Sequence, residues 1–382
     1  MKALILAGGQ GTRLYPLTLR TPKCLLPIAG KPNILYIIEE LVKSGINEIY
    51  VSINDKQLKI NDFLIGSKAN IIIETHENGK LGSIGGLNYA VGKIASDDLL
   101  VIGADNFYKG LNINEFIKTI KSGGASIALY ELPHKYMVEL FGVAELQNGV
   151  IASFQEKPSI ADAKSQLGST MIYGLSKEFI KEKLPEYIKN NFNLDTIGSM
   201  WQYFAKKEKL GGHVFKGLWA DIGSVRAYVE LNNKIMSEMK TSRIDESAVV
   251  MDGAKINDNV IIEAGCIIGK NCIIGPNTHL MRDTTVGEGS VINGSVIFEN
   301  VHIGQKAFIT NSVIDGNAKI GDRVRINDYS SIGYKSVISD GSLLIKESSV
   351  WPFLKANGMI DGNIVQIEEK NDLTNSKYWS GD

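Results

Sequence analysis

Cysteine is almost absent from this chain. Cys24, Cys266 and Cys272 are the only three in 382 residues, too few for a disulfide framework and in no C-x-x-C arrangement. They read as reduced, buried thiols. The five histidines, His76, His134, His213, His279 and His302, are scattered and form no H-E-x-x-H pair, which argues against a zinc site. Neither sign of charge prevails, with 41 Lys and Arg against 42 Asp and Glu, so nothing biases the whole chain toward nucleic acid or an anionic membrane. No leader with a charged start and an apolar core opens the chain, and no apolar run nears the roughly 20 residues that cross a bilayer. A soluble, cytoplasmic protein is expected. The phosphate-binding pattern GxxxxGK[ST] is missing, which disfavours a P-loop ATPase. The dinucleotide fingerprint fails as well, because Gly9-Gln10-Gly11 is followed by Thr12, Arg13 and Leu14 where a third glycine is needed.

What is present begins at once. Lys2-Ala3-Leu4-Ile5-Leu6-Ala7 is a short apolar run without alternation, the mark of a strand buried on both faces of a parallel sheet. Gly8, Gly9 and Gly11 follow, where a missing Cβ lets backbone N–H groups approach an anion. Arg13 then supplies a planar fork of donors and Lys23 a mobile point charge. The plainer reading is a glycine turn joining a strand to a helix with both cations solvated. The run from Leu6 through Pro22-Lys23 carries too many matched features for that.

Residues 1–235 alternate apolar strands with amphipathic helices, the pattern of an α/β sheet covered by helices on both faces, Rossmann-like and mostly parallel. Strands are expected at 2–7, 48–53, 70–74, 98–103, 125–131, 141–146, 169–175 and 212–216. Helical spacing marks 33–44 and 224–239, the latter read as a bridge to a second domain. After a linker at 236–243 the period changes. An aliphatic residue recurs at every sixth position from Ile244 through Val250, Ile256, Ile262, Ile268, Ile274, Leu280 and Val286 to Ile292. Small residues such as Ala248, Cys266, Thr284 and Ser290 follow four positions later, each preceded by a turn former such as Gly253, Asn259 or Asp283. This is the hexapeptide pattern of a parallel β-helix spanning 244–370. One-residue slips are read between Phe298 and Ile303 and between Ile309 and Ile314, and the spacing gives about six coils. A polar tail covers 371–382.

Two carboxylates stand out in the first domain. Asp105 ends the strand at 98–103 and Asp221 precedes the bridging helix. Alone, either would be read as a turn or helix cap. Together with the opening run they suit Mg²⁺, a hard ion that takes one or two carboxylates plus phosphate oxygens and water.

The run Ala7-Gly8-Gly9-Gln10-Gly11-Thr12-Arg13-Leu14 with Pro22-Lys23 resembles the signature of the sugar-1-phosphate nucleotidylyltransferases, or nucleotide-sugar pyrophosphorylases. Members with a left-handed hexapeptide β-helix are the nearest in look, and the handedness comes from that resemblance. The resemblance implies attack of a sugar 1-phosphate on the α-phosphorus of a nucleoside triphosphate with Mg²⁺, giving a nucleotide sugar and pyrophosphate. It implies Leu6, Ala7, Gly8, Gly9, Gly11, Thr12 and Arg13 around the triphosphate, with Lys23 at the α-phosphate. Asp105 and Asp221 would hold the metal, Asp105 also lying on the sugar-phosphate side. Leu81-Gly82-Ser83-Ile84-Gly85-Gly86 resembles the L-G-T-A-G loop, which implies Gly82, Ser83 and Gly85 near the nucleobase. Glu156-Lys157-Pro158 resembles the E-K-P element, with glutamate toward sugar hydroxyls and lysine toward the sugar phosphate. Gly142 resembles the glycine of a Tyr-Gly-Val sugar-pocket strand. Ser169-Thr170-Met171-Ile172-Tyr173 departs from N-A-G-I-Y, which places Thr170 at the sugar and leaves the sugar open. Residues 75–82 and Val350-Trp351-Pro352 look like mannose-1-phosphate guanylyltransferases. Gly103-Ala104-Asp105-Asn106 leans toward glucose-1-phosphate thymidylyltransferases. The substrate pair is thus GTP with mannose 1-phosphate, or dTTP or UTP with glucose 1-phosphate. A homo-oligomer formed through the β-helix is expected. Two other readings stay open: a catalytically silent scaffold relative, and a bifunctional enzyme whose β-helix transfers acyl groups using His279 or His302.

Overall fold

The computed structural model describes residues 1–74, 82–94, 97–120, 124–190 and 194–365. The chain forms two compact units. One holds Met1–Gly9 and Asn33–Asp221, the other Gln10–Pro32 and Ile222–Asp382. The opening glycine run is therefore shared between them, with Gly8 and Gly9 in the first and Gly11 onward in the second. Among the described residues no helix is long and apolar enough to cross a membrane.

The first unit is built on a nine-stranded sheet. Its strands are β1 (Lys2–Leu6), β2 (Ile49–Asn54), β3 (Ala69–Glu74) and β4 (Leu99–Gly103), then β6 (Ala125–Glu131), β7 (Gly142–Gln147), β8 (Val150–Glu156), β9 (Leu167–Leu175) and β10 (Gly211–Val214). The order is β3-β2-β1-β4-β9-β6-β10-β8-β7. Strands β3, β2, β1 and β4 run parallel, and the central pair β1 and β4 is almost wholly apolar and buried, as strands covered on both faces are. Beyond them the sheet is mixed: β9 runs antiparallel to β4 and β6, β10 parallel to β6, and β8 antiparallel to both β10 and β7. A separate two-stranded ribbon pairs β5 (Asn106–Lys109) antiparallel with β11 (Leu218–Asp221). The helices α1 (Asn33–Lys43), α2 (Gly82–Lys93) and α3 (Ile197–Phe204) belong to this unit. Leu4, Val101, Ile127, Tyr173 and Trp201 lie in one fully enclosed core, each large apolar side chain contributing about 1.5–3 kcal/mol by the area it removes from water.

The second unit is a coil of two- and three-residue strands in three parallel sheets of eight, seven and seven. Seven full turns result, one more than expected, and the last turns are shorter than the rest: Leu344 stacks on Ile360 and Val350 on Ile364. The first short step also falls earlier than expected. Leu280 pairs with Ile297, so Ile297 faces inward and the missing residue lies between Ile292 and Ile297. The second falls between Ile309 and Ile314, as the spacing predicts. Inward aliphatics from Ile262 to Ile360 form a single buried column set. The turn formers do the work expected of them, since Gly253, Asn259, Gly265, Asn271, Asn277, Asp283 and Gly289 all adopt left-handed backbone. The small residues are buried at the corners, and their hydroxyls or thiols reach carbonyls of the next coil: Thr284 to Phe298, Ser290 to Gly304, Cys266 to Met281. Burial also pushes the Cys266 thiol up to about 11, so it stays protonated.

One outward face of the coil is covered within this unit. Ile261, His279, Val296 and Val313 point out of the eight-stranded sheet yet are 5% exposed or less. Ile261 packs with Ala29 and with Met236 of α4 (Val225–Ser237). Tyr228 of α4 donates to the Pro27 carbonyl, Asn232 accepts from the Ala29 N–H, and Arg243 donates to the Ala29 carbonyl. The 10–32 segment is thereby part of the β-helix unit.

Candidate active site

In the first unit, the candidate residues gather where parallel strands end, the ligand crevice of an open α/β sheet. Leu6 stands level with Ser52 of β2 and Gly103 of β4. Ala7 donates to the Ser52 carbonyl. The Gly8 carbonyl accepts from Asn54 Nδ2 at 2.7 Å and the Gly9 carbonyl from Gln57 Nε2 at 2.6 Å. Two oxygens that would repel an anion are thus bound to amides. Glu74, buried at the end of β3, accepts from Ser52 Oγ at 2.6 Å, and its carboxylate lies 3.6–3.7 Å from where a Gly8 Cβ would stand and 3.0–3.2 Å from a Gly86 Cβ. Asn54, Gln57 and Glu74 were not legible as site neighbours, since nothing in their local sequence separates them from ordinary strand-end polar residues.

In the second unit, Gly11 takes φ +64°, and a Cβ there would meet Thr18 at 3.1 Å and Lys23 Cβ at 3.4 Å. Both conformation and space demand glycine. Thr18 Oγ1 donates to the Gly11 carbonyl at 2.7 Å. Thr12 and Arg13 stand exposed on a single 3₁₀ turn whose third residue, Leu14, is buried. Lys23 opens another such turn and is 9% exposed. The loop is thus pinned by apolar Leu14, Leu17, Leu26 and Ile28 while the arginine stays at the surface.

The two aspartates come together through strand pairing. β5 and β11 align Asp221 opposite Asn106, the residue after Asp105. Asn106 is 1% exposed and fully engaged: its Nδ2 donates to Asp105 Oδ1 at 3.0 Å, and its Oδ1 accepts from Trp219 Nε1 at 2.8 Å. Asn33 of α1 donates to the Ala104 and Asn106 carbonyls, fixing the turn. Asp105 and Asp221 themselves are half-buried. The helix-cap alternative for Asp221 does not hold, because Ser224 caps α4 by accepting from the Ala227 N–H. Among the described residues no group of three or more His, Cys, Asp or Glu could hold a metal. A pair of carboxylates with no nitrogen or sulfur donor suits a hard ion that completes its shell with phosphate and water.

Glu156 sits between two glycines. A Cβ on Gly142 would fall 2.9 Å from Glu156 Oε2, and one on Gly198 of α3 only 1.7 Å from it. Burial raises the carboxyl above its usual range, opposed by Lys157. Gly198 carried no sequence signal, lying 42 positions from Glu156. Lys157 is exposed with φ +47°, a strained backbone for a lysine, held by its N–H bond to the Phe141 carbonyl. Thr170 is fully buried, and its hydroxyl donates to the Ala128 carbonyl at 2.8 Å. The β9–β6 register shifts between Ser169 and Tyr173, where Met171 takes φ +58°, a bulge of the sort that re-aims side chains beside sites. Met171 Cβ stands 3.1 Å from where a Gly103 Cβ would lie, next to Asp105.

At α2, Gly82 takes φ +68°, and the Ser83 and Ile84 N–H groups donate to the Asp195 and Leu194 carbonyls. Gly85 is buried in that helix. Leu81 and the stretch 75–80, including the pattern that looks guanylyltransferase-like, lie outside the described residues. Of the coil histidines, His279 is fully buried with Nε2 2.8 Å from Glu263, and His302 is exposed beside Thr285.

Comparison with known proteins bears on this arrangement. Residues 2–238 match the nucleotidyl transferase family model, and residues 267–365 match a GMPPB C-terminal domain. The chain is 35% identical over 322 residues to the bifunctional protein GlmU of Methanococcus maripaludis, covering 79% of this chain and 74% of that one. It is 29% identical over 314 residues to a Sulfolobus acidocaldarius protein provisionally named mannose-1-phosphate guanyltransferase, covering 78% and 76%. Among solved structures, one from Bacillus anthracis, provisionally a glucose-1-phosphate thymidylyltransferase in complex with a sucrose, superposes with TM-score 0.53 at 26% identity. It covers 63% of this chain and 96% of that one.

Proposed function

The chain belongs to the nucleotidyl transferase family, and from that premise we propose that it transfers a nucleotidyl group from a nucleoside triphosphate to a sugar 1-phosphate. An oxygen of the sugar phosphate forms a bond to the α-phosphorus, the bond from that phosphorus to the bridging oxygen breaks, and pyrophosphate leaves with that oxygen. The attacking oxygen is already anionic near neutral pH, so no general base is needed. What the protein must supply is alignment and positive charge. In this reading Gly8, Gly9, Gly11 and Thr12 line the triphosphate, Arg13 takes the departing β/γ side, and Lys23 steadies the α-phosphate. Gly82, Ser83 and Gly85 lie toward the base. Gly142, Glu156, Lys157 and Thr170 belong to the sugar-phosphate side. The Thr170 hydroxyl is committed to Ala128, so Thr170 acts there through the backbone it fixes.

Asp105 and Asp221 would hold Mg²⁺. Bound there, the ion would offset charge on the reacting phosphates. Asn106 keeps both strands in register and orients Asp105. The observation that carries the proposal is the pairing of β5 with β11, which sets Asp221 opposite the residue after Asp105, just beyond the end of β4, the strand that pairs with the glycine turn's own β1.

The names of the relatives favour GTP with mannose 1-phosphate or a thymidine triphosphate with glucose 1-phosphate, and UTP with glucose 1-phosphate is the third candidate pair. Three free thiols fit the cytoplasm, where these substrates are available. Exposed Ile267, Ile273 and Phe308 on the coil support assembly into a homo-oligomer through the β-helix, which sedimentation would test. Pyrophosphate release across a grid of nucleoside triphosphates and sugar 1-phosphates with Mg²⁺ tests the activity, and silence across the grid would favour a scaffold protein. On the active pair, Asp105→Asn is expected to cut turnover by roughly a thousandfold with the melting of the coil unchanged. Turnover near that of the parent would remove Asp105 from the metal site.

A further inference from the structure

Seven residues beyond Arg13 and three before Lys23 stands Arg20, a residue with no place in the reading of the signature. Its guanidinium reaches 279 positions along the chain to the β-helix of the same compact unit. Nη1 and Nη2 each donate to Glu299 Oε1 at 3.0 Å, and Nη1 lies 3.5 Å from Asp315 Oδ1. The guanidinium carbon stands 4.1 Å from the centre of the Tyr334 ring, within cation–π range. Three successive coils therefore contribute to one arginine. The surroundings are protected: Asp315 is 1% exposed, Glu299 16% and Arg20 26%. Gly316 leaves room for the pair, since a Cβ there would lie 3.0 Å from Glu299 Oε1 and 3.1 Å from Arg20 Nη1. A second contact flanks it, Tyr15 meeting Trp351 edge to face at 5.5 Å.

We propose that Arg20 is a positioning residue, tying the loop that carries Arg13 and Lys23 to the coil through Glu299, Asp315 and Tyr334. The role rests on the assignment of Arg13 and Lys23 to the triphosphate made above. Partly buried charge pairs hold geometry well because breaking one leaves an uncompensated charge, and a phosphate-gripping loop that drifts by an ångström loses rate steeply. The coil in this view serves catalysis without touching substrate.

The test uses the full-length protein and three variants, Arg20→Ala, Glu299→Gln and Arg20→Lys. Hydrogen exchange of backbone amides in residues 11–26 is followed alongside kcat and KM on the active substrate pair. Arg20→Ala and Glu299→Gln are expected to speed exchange in the loop and to lower kcat/KM for the triphosphate by roughly ten- to a hundredfold, with exchange in the coil from Ile261 to Leu344 unchanged. Arg20→Lys, which keeps the charge but loses the fork, should recover part of both. Unchanged loop exchange in the first two variants overturns the tie. Faster exchange with unchanged kcat/KM overturns its positioning role. A parent protein inactive on every substrate pair removes the reading of Arg13 and Lys23 and this role with it, while the exchange data still report separately whether the loop is held.

Discussion

In the α/β unit each important position is used once, whereas in the coil Ile262, Leu280, Ile297 and Ile314 occupy the same place in successive turns. A unique position has no counterpart in a neighbouring repeat: Asp221 stands opposite Asn106 once, and Gly142 and Gly198 each back Glu156 from a different element. A repeated position shares its load with neighbours above and below, so the coil tolerates slips of one residue at Ile297 and Ile314 and continues. The lesson is that the coil's sequence records stability while the sheet's strand ends record chemistry. The segment 10–32 crosses that division, carrying signature residues while folding with the coil.

Glycine to alanine in the sheet unit should break that contrast most sharply. In Gly198→Ala the new Cβ would displace the Glu156 carboxylate, which is the free end of a flexible side chain, so the fold should survive. KM for the sugar 1-phosphate is then expected to rise by roughly tenfold or more at nearly constant melting temperature. An unchanged KM would remove Glu156 from the sugar side.

A smaller effect is expected from Asp315→Asn in the coil. Burial pushes the Asp315 carboxyl up to about 6, partly offset by the Gly316 N–H and Arg20, with Glu299 adding to the rise; Tyr228 also stands in its field. A carboxyl raised in the folded state costs stability above its folded pKa and costs nothing once both states are protonated. The gain of the variant over the parent should therefore be larger at pH 8 than at pH 4 by about 1–3 kcal/mol, read from urea melts. A gain independent of pH would mean that burial does not raise the Asp315 carboxyl.

The smallest effect concerns one corner. Arg323 takes φ +55° where Asn311 and Asn317 occupy the equivalent bend at +40° and +59°. It is exposed, and Arg323→Asn is expected to stabilise the coil by about 0.5 kcal/mol. Loss of stability there would show that the arginine side chain outweighs its backbone.

The eight strands expected from the sequence all form, within two residues at each end. Both expected helices form, and so does the hexapeptide coil. Less legible were β5 and β11, four residues each and too short to establish a period, and β8, whose alternation is broken by a register shift between Ile151 and Ser153. The signature residues Gly8, Gly9, Gly11, Arg13 and Lys23 stood out by motif. Asn106, Gly198, Glu74 and Arg20 did not, since each matters through a partner that local spacing cannot reveal.

The sequence by itself determined the local elements, because a period of two, of three to four, or of six residues reports which face must leave water. It also determined which residue types are available for phosphate and metal. Tertiary structure alone decided that Asp221 lies beside Asn106, that Glu156 fits between Gly142 and Gly198, and that Arg20 is held by Glu299 and Asp315. These are contacts between residues 14 to 295 positions apart, and they form only once packing has paid the entropy of bringing distant segments together.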